Sequence, residues 1–106
     1  MSGVVSVYAV FASAEEAERI ARTVVEERLA ACANILGPCR SIYRWRGKVE
    51  EAGEVAALFK TSARQADSLI ARIAALHSYE VPALVAWPIV GGLKAYVDWV
   101  ECESRD

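Results

Sequence analysis

Two segments of the chain, Ser13-Ala-Glu-Glu16 and Ser62-Ala-Arg-Gln65, have the form of a helix N-terminus. In that motif a serine hydroxyl accepts from the amide three residues on, and a Glu or Gln there bonds back to the cap. Apolar residues follow each at helical spacing: Ala17, Ile20, Ala21, Val24 and Val25 after the first, and Ala66, Leu69, Ile70, Ile73 and Leu76 after the second. The first helix is predicted from Ala14 to about Glu27 or Arg28, with Glu15–Arg19 and Glu18–Arg22 as acid-first pairs on its wet side. The second stops near His77-Ser78. Two helix starts so far apart in 106 residues leave room between them for one long extended excursion and its return.

The remaining segments read as strands. Val4 to Phe11 is nearly continuous in apolar and β-favouring residues, the pattern of a strand covered on both faces. Ala33 to Trp45 returns to strand, with a bend at Gly37-Pro38, because proline in a ladder is confined to edges, bulges and bends. Gly47 supplies the positive φ of a hairpin loop before a second long strand, Lys48 to Thr61. The distal half of this hairpin is charged and its proximal half, Val55 to Phe59, is apolar, so the arm is expected to project beyond the core. Val81 to Val90 is a fourth strand with proline near both ends, and Leu93 to Glu101 a short terminal helix with Trp99 off its inward face. The order β-α-β-β-α-β plus a C-terminal helix defines an α+β, ferredoxin-like arrangement, one domain over residues 1–106. That fold carries many unrelated functions, so function must come from sites.

Composition bears on partners. Apolar residues (AVILMFWYC) are 55% of the chain, and a count with glycine in place of tyrosine gives about 57%, against roughly 45–50% for soluble domains. One small core cannot absorb that excess. A membrane span needs about 20 mostly uncharged residues, which never occur in a row here. Twelve basic against fourteen acidic residues argue against a nucleic-acid surface. Association between subunits is the favoured explanation, and Trp45, near the hairpin tip with no core of its own to enter, is the first interface candidate. The N-terminus lacks the basic flank and cleavage region of an export signal, so the expected location is the cytoplasm. Cys32, Cys39 and Cys102 form no CxxC pair and read as reduced thiols, Cys32 buried and Cys39 more exposed.

Several chemistries are excluded by what they require. The first loop, Phe11-Ala-Ser-Ala-Glu, has no thiolate pair for Cu(I). The middle strands lack the aromatic and basic set of an RNA-recognition motif, and no Walker loop or Gly-x-Ser-x-Gly elbow is present. His77, the only histidine, reads either as a cap on the carbonyls at its helix C-terminus or as a ligand to a metal or small molecule. An enzyme would have to use His77 with Glu80, and none is expected.

Four separated segments, Glu26 to Ile35, Ser41 to Lys48, Lys60-Thr61 and Leu76-His-Ser-Tyr-Glu-Val-Pro82, together resemble the CutA-type divalent-cation tolerance proteins. The resemblance runs from about Val4 to Trp99 and implies a homotrimer whose long hairpins pair between subunits. It also implies a cytoplasmic role linked to copper and other divalent metals, and an architecture similar to PII signalling proteins. The family's copper pattern has a Cys at the end of the first strand and two adjacent His before the Tyr of the last segment; those positions are Phe11, Leu76 and His77 here. His77 is therefore the one donor that would meet a divalent cation, copper or zinc, with no organic cofactor. Trp45, Lys60, His77, Tyr79 and Glu80 are the candidates for a ligand cleft, and Tyr43, Trp45 and Trp99 for the trimer interface. The alternative is a PII-like module that binds a small metabolite or a partner protein, with metal irrelevant.

Overall fold

The core forms because β1 (Val4–Phe11), the middle of a four-stranded antiparallel sheet ordered β2-β3-β1-β4, can bury both its faces. A computed structural model of the chain describes residues 3–105, so the expected unit over 1–106 is described except at its extreme termini. Val7, Ala9 and Phe11 on one face of β1 meet Val55, Ala57 and Phe59 of β3 (Lys48–Ser62). Against them pack α1 (Ala14–Glu26), through Ile20 and Val24, and α2 (Ala66–Leu76), through Leu69 and Ile73. The C-terminal α3 (Lys94–Glu103) joins the other side of the alternation, where Val100 makes a separate small cluster with Val4 and Ala31.

The two capping boxes behave differently. Ser13 Oγ accepts from the Glu16 amide at 3.1 Å as expected, but the Glu16 carboxylate reaches past the cap to the Ala12 amide, also at 3.1 Å. Ser62 makes no cap at all: its hydroxyl donates to the Ser104 carbonyl at 2.8 Å and its amide to Ser104 Oγ at 2.9 Å. With Ser62 committed to the end of α3, residues Ala63–Gln65 form a 3₁₀ turn and α2 begins at Ala66. The Glu15–Arg19 and Glu18–Arg22 pairs do not close; the ion pair on this helix layer joins Glu27 to Arg72 of α2 at 2.8 Å.

β2 (Cys32–Trp45) bulges between Ile35 and Gly37, where Gly37 takes a φ of 103°. The turn after it needs two positive φ values, 51° at Arg46 and 83° at Gly47, the twist of a two-residue hairpin loop. Only the glycine was readable as such from sequence. Pairing between β1 and β3 ends at Phe11↔Val55, so everything distal to Cys39↔Glu54 is a two-stranded arm, and the molecule measures 44 × 25 × 22 Å. The fourth strand is shorter than its apolar run: β4 is Leu84–Pro88, an edge strand, and residues 78–83 are given over to a turn. Cys32 is half-buried rather than enclosed, its Sγ 3.4 Å from the Tyr96 hydroxyl, a contact that with burial pushes that phenol up to about 12. Cys39 is half-buried and Cys102 exposed.

Candidate functional site

The turn after α2 is held by two side chains, His77 and Glu16, that accept from its backbone amides. His77, which ends α2, lies between Phe11 and Tyr79, with ring centroids 5.0 and 4.8 Å away, and is 9% exposed. The Tyr79 amide donates to His77 Nδ1 at 3.0 Å. An amide can only donate, so Nδ1 carries no proton and Nε2 does, donating to the Val10 carbonyl at 2.8 Å. The ring therefore joins β1 to the turn; the carbonyls of its own helix, where the cap reading put it, are not its partners. Beside it Glu16 Oε2 accepts from the Ser78 amide at 2.9 Å, so one carboxylate ties the start of α1 and the end of β1 to the same turn. Burial alone would raise the Glu16 pKa, but the Ser78 hydroxyl and the Ala12 and Ser78 amides outweigh it and hold the carboxyl below its ordinary value.

A folded-state pKa below the unfolded one gives stability that is present above the unfolded value and is lost as pH falls through the folded one. The Glu16→Gln variant is accordingly expected to lose about 1–2 kcal/mol near neutral pH. Its deficit should shrink toward zero in acid, as urea titrations across pH will show; a deficit constant with pH would refute the assignment.

Anchored in this way, the 78–83 turn faces the arm across a cavity of about 750 Å³, lined among others by Tyr43, Trp45, Glu54, Tyr79, Glu80 and Pro82. Tyr79 Oη donates to Glu54 Oε2 at 2.6 Å, and burial together with that carboxylate raises the phenol well above its ordinary value. Glu80 pairs with Arg46 at 3.6 Å on the rim, and the Arg46 guanidinium lies 5.3 Å from the Trp45 ring centroid.

Of the five cleft candidates, the cavity brings together Trp45, Tyr79 and Glu80, with His77 directly behind Tyr79. Lys60 is not among them: its Nζ donates to Asn34 Oδ1 at 2.9 Å on the Cys32 side of the sheet. Trp45 is 42% exposed, outside the core, and lines this cavity, and Tyr43 shares that wall. Trp99 stacks on Tyr96 at 5.8 Å and stays 43% exposed. Glu16 and Glu54 were missed as site residues. Glu54 had a signal, the last charge before the buried run Val55–Phe59.

The residues do not fit a preformed metal site. Phe11 and Leu76 have no donor atoms, both His77 nitrogens are engaged, and no cluster of three His, Cys, Asp or Glu side chains occurs among the described residues. Of the His77 and Glu80 pair, Glu80 turns to Arg46.

A four-stranded ferredoxin-like sheet with a projecting arm, and a cavity where the arm meets the turn after the second helix, define the class of protein. Residues 5–103 match the family described as CutA1 divalent ion tolerance protein, and the chain belongs to that family. The divalent-cation tolerance protein CutA of Thermus thermophilus is 49% identical over 88 residues, 83% of this chain and 85% of the relative. The crystal structure of CutA from Xylella fastidiosa superposes with a TM-score of 0.94 at 38% identity, covering 98% of this chain and all of that one. A CutA structure from Archaeoglobus fulgidus, titled a periplasmic divalent cation tolerance protein, gives 0.92 at 39% identity over 96% of this chain and 99% of that one.

Proposed function

We propose that the chain acts in the response to divalent cations as a non-enzymatic homotrimer in the cytoplasm. The observation that carries the assembly is exposed apolar surface in two unlike places. On the arm, Ile42 and Val49 are largely exposed; at the β4 edge of the sheet and just after it, Val85, Trp87, Val90 and Leu93 stand exposed, and Trp99 on α3 is 43% exposed. A patch on one edge that fits a different patch on the other is a head-to-tail contact, and such contacts close into rings. The family relationship supports three as the ring size. Tyr43 and Trp45, on the same arm and both 42% exposed, are its aromatic interface candidates. The three cysteines are free thiols, the state a reducing compartment maintains.

The cation reading differs from the family's copper pattern. For copper or zinc to reach His77, the ring must give up either the Val10 carbonyl or the Tyr79 amide. Titration with Cu(II) and Zn(II) is expected to show no binding below millimolar concentration that a His77→Ala variant abolishes. Tight, His77-dependent uptake would overturn this account of the site.

A further inference from the structure

We propose that the cavity between the arm and the 78–83 turn binds a small organic cation, an ammonium or guanidinium head on a short apolar body, using Trp45, Tyr43 and Tyr79 as aromatic walls and Glu54 and Glu80 as counter-charge. Its volume, about 750 Å³, is that of a small-molecule site. Its charges select the sign of the occupant. Two carboxylates line it, and Arg46, the cation paired with Glu80, stands on the rim, so the deeper Glu54 favours a cation, which also gains attraction from the ring faces. A bare divalent ion is poorly served by a wall that is largely aromatic and aliphatic and offers no third carboxylate, thiol or imidazole.

The molecule already contains a small version of this contact. The Arg46 guanidinium sits 5.3 Å from the Trp45 centroid and 3.6 Å from Glu80, a cation held by one aromatic face and one carboxylate. Deeper in, Glu54 is 9% exposed, and the Tyr79 hydroxyl engages only one of its oxygens, leaving the second for a ligand. One chain already supplies aromatic walls and two carboxylates to the site. The site depends on the His77 and Glu16 contacts that fix the turn carrying Tyr79 and Glu80.

Choline and 3,3-dimethylbutan-1-ol have nearly the same shape and differ in charge, and calorimetry on the intact protein compares them directly. Choline is expected to bind saturably and about tenfold or more tighter than the alcohol. Glu54→Gln, which keeps an acceptor for Tyr79, should weaken choline about tenfold while sedimenting like the parent, and Trp45→Leu, which keeps an apolar wall but alters an interface candidate, should weaken choline about tenfold whatever its sedimentation. Equal binding of the two compounds overturns the proposal, as does undiminished binding by both variants. So does the absence of saturable binding in the millimolar range, the result expected if a side chain of a neighbouring copy fills the cavity. Sedimentation of the same samples separates this proposal from the assembly: a monomer that binds choline contradicts only the trimer, and a trimer that does not contradicts only this site.

Discussion

Replacing His77 by alanine is expected to lower the unfolding free energy by about 3 kcal/mol, the sum of lost packing and of two backbone groups deprived of partners. The imidazole fills the space between Phe11 and Tyr79, accepts from one amide and donates to one carbonyl. No ordinary side chain does all three. The His77→Phe variant restores the packing but leaves the Val10 carbonyl and the Tyr79 amide unpaired, so it should recover only part of the loss, about 1–2 kcal/mol. Urea unfolding of the two variants beside the parent reads both numbers. A metal-ligand or cleft role alone would leave stability nearly unchanged in both, and that result would refute the structural role assigned here.

The second large effect concerns the arm. Val49 is 64% exposed and opposes Arg44 across the hairpin, beyond the reach of the core. Putting a carboxylate there costs the isolated chain little, because the group stays in water. Across an interface it must be desolvated against apolar surface, which costs several kcal/mol unless it is paired. Val49→Asp is therefore expected to yield folded monomers at concentrations where the parent is assembled, seen as native circular dichroism with a reduced sedimentation mass. If the variant assembles like the parent, the arm is not the docking surface.

Much of this was legible in the chain because it is local. β1 and α1 were readable from apolar pattern and a serine cap, since the atoms that decide them lie within a few residues of each other. The second cap was misread because Ser62 is claimed by Ser104, a partner 42 residues away that no local pattern reveals. β4 was read too long for a similar reason. Val81 to Ala83 are apolar enough for a strand but lie beyond the five-residue register that β1 offers, which ends at Ala9↔Leu84. At the site, Trp45, Tyr79 and Glu80 were found as chemistry-bearing residues, yet their meeting depends on Glu16 and His77 fixing a turn against the end of β1. Lys60 looked equivalent in sequence and is placed elsewhere by strand register, opposite Cys32.

The apolar excess and the two unlike exposed patches lead to one claim, a closed head-to-tail trimer. Sedimentation equilibrium of the purified protein at low micromolar concentration tests it most directly. The account predicts a single species at about three times the chain mass of 11.5 kDa, undiminished on dilution. A species at the mass of one chain, or a closed pair, would contradict it.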